Sequence, residues 1–223
     1  MTHETMAGDP MDDDRIAARA ARLATLTSWH ADWSALRVAV LGLGVTGFAA
    51  ADTLAELRAD VLVVASGAPD ERTQLLNVLG VALVQSDLSD VPGELVAHRP
   101  ELLIVSPGFH PDHLLLRWAA ANGIAVWGDI ELAWRLRDKV GIPAEWLLVT
   151  GTNGKTTTVQ LAATMLAAAG HRVAPCGNIG VPVLDAIRDP QAGTCSSSNS
   201  RATSCTTFRA QGRGHSRRGR ASA

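Results

Sequence analysis

The most constraining feature of this chain is an alternation of short apolar runs with stretches of helical periodicity. The runs are Arg37-Val-Ala-Val-Leu-Gly42, Asp60-Val-Leu-Val-Val-Ala65, Val81-Ala-Leu-Val84, Glu101-Leu-Leu-Ile-Val-Ser106 and Ile124-Ala-Val-Trp127. Each is too short for a helix, rich in β-branched residues, and apolar at consecutive rather than alternate positions. That pattern marks strands buried on both faces. Residues 46–57, 69–79, 113–122 and 130–137 carry helical spacing, with Pro69 in a first turn and Gly123 as a stop. Strands and helices alternating at this length predict an α/β fold built on a doubly wound parallel sheet.

The pattern breaks at residues 138–145, where Gly141 and Pro143 fall, and then restarts. Trp146-Leu-Leu-Val-Thr150 reads as a strand, residues 155–169 as a helix closed by Gly170, and Arg172-Val-Ala-Pro175 as another strand. Val183–Arg188 can add a turn or two of helix. The expected organisation is therefore an N-terminal tail with a short helix (1–35, the first 14 residues disordered), a Rossmann-like domain (36–140), and the start of a second α/β domain (144–190). The last 33 residues contain no Val, Ile, Leu or Met and one Phe. Such a segment buries too little to offset its ordering entropy, so a disordered tail is expected over 191–223.

Thr150-Gly-Thr-Asn-Gly-Lys-Thr-Thr157 joins the first strand of the second unit to its helix. Gly151 and Gly154 let the backbone turn its N–H groups toward phosphate oxygens, and the helix adds its positive end. Lys155 is the candidate catalytic residue, placed to reach the β- and γ-phosphates of ATP. Thr156 is the candidate Mg²⁺ ligand. Thr152, Asn153, Gly154, Thr157 and Thr158 complete the predicted ATP-binding set. The loop departs from the common G-x-x-x-x-G-K-[ST] form, because Val149 stands where that form has its first glycine.

The same loop resembles the ATP site of the Mur ligases of peptidoglycan synthesis and of the related folylpolyglutamate synthases. Four further motifs share the resemblance: Gly42-Leu-Gly-Val-Thr-Gly47, Ser106-Pro-Gly108, Gly128-Asp-Ile-Glu-Leu132 and Gly177-Asn-Ile-Gly180. Their order over roughly residues 36–190 is similar to that of the D-glutamate-adding branch of the family. The resemblance implies a P-loop-type central ATPase domain and ATP with Mg²⁺ as cofactors. It also implies UDP-N-acetylmuramoyl-L-alanine and D-glutamate as substrates, joined through an acyl phosphate in the cytoplasm by a monomer. It places the UDP-sugar diphosphate against Gly44, Val45 and Thr46, helped by Gly108 and Asn178. Ala65-Ser66-Gly67 departs from the Asp-Thr-Arg-like set that the family commonly uses to hold uracil.

Gly42-x-Gly44-x-x-Gly47 also satisfies the dinucleotide fingerprint, so NAD is the rival ligand. NAD binding calls for an acid at the end of the second strand, and the next one here is Asp70. That disfavours NAD. Ser106-Pro-Gly108 alone could be a simple turn, and Asp129 and Glu131 ordinary helix N-terminal acids. His110 and His113 read as loop histidines rather than metal ligands.

Charge sharpens the functional classes. The formal net charge of −2 conceals six arginines after Asp189 with no acid among them. Without those six the body holds 14 basic against 22 acidic side chains, a poor surface for nucleic acid. No apolar run is long enough to span a membrane, and the polar, acidic start is unlike a signal peptide, so a cytoplasmic protein is expected. Cys176, Cys195 and Cys205 fit neither a disulfide framework nor a zinc site and are expected to be reduced thiols. Residues 194–206 can be written in codons that, read from the third base, encode an apolar strand followed by Glu-Leu-Ser-Ser, which resembles the next family motif. The expectation is a truncated ligase with a frameshifted tail, inactive by itself; a native basic tail is the alternative.

Overall fold

The computed structural model describes residues 10–151, 153–177, 181–189, 195–196 and 204–209. Helix α1 (Pro10–Thr25) leads into β1 (Arg37–Leu41), α2 (Val45–Glu56), β2 (Asp60–Ala65), α3 (Asp70–Leu79) and β3 (Ala82–Gln85). Then follow α4 (Gly93–His98), β4 (Leu102–Val105), α5 (Leu114–Ala121), β5 (Ala125–Gly128) and α6 (Asp129–Arg135). The five strands form one parallel sheet in the order β3-β2-β1-β4-β5. All five predicted strands are present. The stretch between the third and fourth strands, to which the periodicity assigned no element, holds the short helix α4.

Burial on both faces explains the continuous apolar runs. Val38, Val40, Val61, Val63, Leu102 and Ile104 pack on one face with Leu23 of α1, Leu26 just beyond its end, Leu54 of α2, Leu76 of α3 and Leu132 of α6. The alternate residues Ala39, Leu41, Leu62, Val64 and Leu103 face Leu95 of α4 and Leu115 and Ala119 of α5. Most of these side chains are fully buried, and each such Val or Leu contributes about 1.5–3 kcal/mol relative to exposure. At the amino end of the sheet, Glu101 is buried and accepts from Arg22 at 3.1 Å and from the Arg37 backbone N–H at 3.2 Å. It ties α1 to the edges of β1 and β4.

Two expectations at the N-terminus and in the tail need correction. Residues 10–14, read as part of a disordered segment, already belong to α1. Pro10 opens the helix, where its missing N–H costs nothing.

The second unit comprises β6 (Glu145–Val149), α7 (Lys155–Ala168), β7 (Arg172–Pro175), α8 (Val183–Arg188), β8 (Cys195–Ser196) and β9 (Ser204–Arg209). Its sheet runs β6-β9-β7-β8, with β9 antiparallel to both β6 and β7. So part of the tail expected to be disordered is strand. Its want of aliphatic residues concealed a Thr- and Phe-containing segment of adequate β-propensity, and pairing satisfies backbone groups that β6 and β7 would otherwise leave open. Cys176 is disulfide-bonded, contrary to the expected free thiol.

Helix α8 packs against the first unit. Val183, Leu184 and Ala186, together with Cys176, join the core of the β1 sheet beside α2 and α6. Arg188 of α8 pairs with Asp52 and, at 2.8 Å, with Glu56, both on α2. Trp134 of α6 meets Trp146 of β6 edge-on at 5.3 Å. The segment after the phosphate loop is thereby held against the glycine-loop domain.

Candidate functional site

In this sheet the chain builds outward from β1 in one direction through β2 and β3, then in the other through β4 and β5. The carboxyl ends of β1 and β4 therefore flank the crevice in which open α/β sheets hold ligands. Two predicted loops leave the sheet there. The Gly42–Gly47 loop runs from β1 into α2, and Ser106-Pro107-Gly108 follows β4.

The glycines of the first loop have different jobs. Gly42 has a φ of +92°, a conformation that disfavours side chains. Gly47 provides close approach: a Cβ there would stand 2.0 Å from the Gly42 carbonyl oxygen and 2.7 Å from Ser106 Oγ. Gly44 is the opposite case, with φ −71° and no atom within 4 Å of a Cβ built on it. It faces open space at the N-cap of α2, next to the exposed Val45 and ahead of the helix's first N–H groups. Gly108, at φ +114°, is likewise open. Gly44, Val45, Thr46 and Gly108 thus lie on the loops at the carboxyl ends of adjacent strands. Asn178 lies outside the described residues. Its neighbour Gly177 is buried, donates to Val181 at 2.8 Å, and follows Cys176 in the core of the first unit.

The second loop connects β6 to α7. Gly151 and Gly154 take φ values of +151° and +74°, so both predicted glycines occupy conformations that favour glycine. Lys155 opens α7, and its Nζ donates to the Gly151 carbonyl, folding the ammonium back over the loop. Thr158 Oγ1 donates to the Gly154 carbonyl at 2.9 Å. Thr156 is half-buried, while Asn153, Gly154, Thr157 and Thr158 are exposed; Thr152 lies outside the described residues. The fourteen-residue α7 gives this loop a full helix N-terminus. A loop of this form suits a polyphosphate. Among the described residues no group of three or more His, Cys, Asp or Glu could hold a metal ion, so Thr156 remains their proposed contribution to Mg²⁺.

The neighbouring polar residues separate into supports and candidates. Asp129, at the start of α6, is buried, and burial holds its carboxyl above the ordinary carboxylate range against hydrogen bonds from the helix's first backbone N–H groups. Glu131 instead pairs with Arg135 at 2.8 Å. His113 caps α5, its Nδ1 accepting from the Leu115 N–H at 3.2 Å, and His110 Nδ1 accepts from Asp112 N–H at 3.3 Å. One residue near the crevice escaped the sequence reading. Arg72, in the first turn of α3, donates from Nη1 to the Leu43 carbonyl at 3.0 Å. Only its position a few residues beyond the end of the second strand could have drawn attention to it.

No protein-family profile matches the chain, but curated relatives do. A UDP-N-acetylmuramoylalanine–D-glutamate ligase of Leifsonia xyli is 68% identical over 183 residues, covering 79% of this chain and 35% of the relative. Ligases of the same name from Tropheryma whipplei and Streptomyces avermitilis are each 48% identical, over 170 and 160 residues. They match 76% and 70% of this chain and 34% and 32% of their own lengths. The chain therefore spans about a third of the length of the curated relatives it matches. Among solved structures, UDP-N-acetylmuramate:L-alanyl-gamma-D-glutamyl-meso-diaminopimelate ligase from Neisseria meningitides aligns at 21% identity. Its TM-score is 0.41, with 65% of this chain and 43% of that one covered.

Proposed function

We propose that this chain, a homologue of the UDP-N-acetylmuramoylalanine–D-glutamate ligases over the residues it shares with them, carries the UDP-sugar site and phosphate loop of such a ligase. The reaction joins D-glutamate to UDP-N-acetylmuramoyl-L-alanine, with ATP and Mg²⁺, in cytoplasmic peptidoglycan precursor synthesis. The observation that carries this reading is the pairing of two phosphate-suited loops of different design. One is the Gly44-centred loop at the switch point, with no acid at the end of β2 to take a dinucleotide ribose. The other is the Gly151–Lys155 loop at the start of α7.

In this reading the first N–H groups of α2 and the open backbone at Gly44 and Gly108 hold the UDP diphosphate. The substrate carboxylate attacks the γ-phosphorus of ATP, breaking its bond to the β-phosphate oxygen and releasing ADP. The resulting acyl phosphate is then attacked by the D-glutamate amine, forming the amide and expelling inorganic phosphate. Lys155 offsets negative charge on the transferring phosphoryl group, and the loop N–H groups position the β- and γ-phosphates. Thr156 would hold Mg²⁺, which supplies further charge neutralisation. No helix among the described residues is long and apolar enough to cross a membrane.

The chain by itself is expected to bind but not to turn over. The test is ADP release by the purified chain with UDP-N-acetylmuramoyl-L-alanine and ATP, with and without D-glutamate. No D-glutamate-dependent release is expected, whereas robust turnover would overturn the inactive-fragment part of the proposal.

A further inference from the structure

We propose that Arg72 is a diphosphate-binding residue of the glycine-loop site, an inference that rests on the UDP-sugar reading above. Three observations carry it. First, α3 begins at Asp70, beyond the carboxyl end of β2, so the first turn of α3 lies at the same edge of the sheet as the loops after β1 and β4. Second, Arg72 Nη1 donates to the carbonyl of Leu43, the residue between Gly42 and Gly44. That bond fixes the guanidinium beside the stretch of backbone whose open face is Gly44. Third, Arg72 is partly buried and, among the described residues, forms no ion pair.

A guanidinium held at the loop with no carboxylate within ion-pair distance among the described residues is suited to an anionic ligand. The end of β2, Ala65-Ser66-Gly67, offers no acid either. A guanidinium carries five N–H donors in a planar fork, and a single bond to the loop leaves the others available for phosphate oxygens. Anchoring to Leu43 also reduces the side-chain freedom lost when a ligand arrives. A nucleoside diphosphate, seated on the α2 N-terminus with Arg72 as its lateral clamp, fits this arrangement. The alternative is that Arg72 only braces the loop.

The two roles separate by ligand charge. The full chain is titrated calorimetrically with UDP and with uridine, comparing the parent with Arg72→Gln and Arg72→Lys. Gln carries no charge, and its amide nitrogen ends where the arginine Nε lies, short of the Leu43 carbonyl that Nη1 reaches; loss of bracing alone would weaken UDP and uridine alike. Loss of a charge-assisted phosphate contact predicts UDP affinity about 10- to 100-fold weaker in Arg72→Gln, with uridine affinity unchanged. Arg72→Lys keeps the charge and is expected to recover part of the loss. Equal weakening toward UDP and uridine, or none toward UDP, would overturn the clamp. Should Arg72→Gln lower the denaturation midpoint, the lysine variant decides: folded with UDP preference retained supports the clamp, folded with none overturns it. If the parent binds no UDP at all, the UDP-sugar reading fails and the clamp with it. Parent binding with an unaffected Arg72→Gln removes only the role of Arg72.

Discussion

Replacing Gly47 and Gly44 separately by alanine should dissociate stability from binding. At Gly47 a methyl would stand 2.0 Å from the Gly42 carbonyl oxygen, and that carbonyl cannot rotate away as a flexible side chain would. The Gly42 N–H is itself held by the Val64 carbonyl at 2.8 Å, so the glycine turn and the start of α2 must separate. Overpacking costs about 1–3 kcal/mol, and a fixed backbone neighbour puts this case near about 3 kcal/mol. For a cooperative unit the size of the whole chain that corresponds to a fall in Tm of roughly 6–12 °C. Gly44→Ala meets no atom within 4 Å, and its φ of −71° suits alanine. The gain from a less flexible unfolded chain, about 0.4–1 kcal/mol, is offset by the poorer N-cap, leaving stability within about 0.5 kcal/mol of the parent. Yet its methyl would occupy the face to which the diphosphate is assigned. Urea denaturation followed by circular dichroism and calorimetric titration with UDP read the two effects independently. Gly47→Ala is expected to unfold early, and Gly44→Ala to fold normally and bind UDP at least tenfold more weakly. A Gly47→Ala protein as stable as the parent, or a Gly44→Ala protein with unimpaired UDP binding, would refute the reasoning.

Glu101→Ala should cost about 1–3 kcal/mol in urea unfolding, below the range for a fully buried pair, because Arg22 and Arg37 are exposed enough to rehydrate. A loss under about 0.5 kcal/mol would show that the network does not fasten α1 to the sheet. Burial of Asp129 makes its folded-state proton affinity higher than that of the unfolded chain. Its favourable contribution is therefore complete below the ordinary value of 3.8 and lost as pH rises through the raised folded value. Asp129→Asn should consequently match the parent in acid and gain stability toward pH 7. Equal stability differences at both ends of that window would contradict the assignment. Sequencing the gene tests the proposed shift of frame: the coding DNA of residues 194–206 should read, from the third base, as an apolar strand followed by Glu-Leu-Ser-Ser, and a DNA without that reading removes it.

The strands of the first domain were legible because both of their faces are buried. In β1, Val38 and Val40 pack one way and Ala39 and Leu41 the other, leaving a continuous apolar run that few alternatives explain. The resemblance to Mur ligases, read from ordered glycine motifs, agrees with the names of the curated relatives. Other features had no local signature. Arg72 contacts Leu43 across 29 residues, and Arg188 reaches Asp52 across 136, so neither contact follows from periodicity. β9 was missed for a different reason: its pairing is a matter of backbone hydrogen bonds, which leave no trace in aliphatic content. The distinction between Gly47 and Gly44 was also invisible, since a glycine required by close contact and one facing open space are the same letter.

The central claim is that the crevice at the carboxyl ends of β1 and β4 holds a UDP-sugar. Calorimetric titration of the full chain with UDP-N-acetylmuramoyl-L-alanine tests it most directly. Saturable one-to-one binding is predicted, competed by UDP, insensitive to NAD, and weakened in Gly44→Ala. A folded chain that binds no UDP-sugar, or whose site is taken by NAD instead, would contradict it.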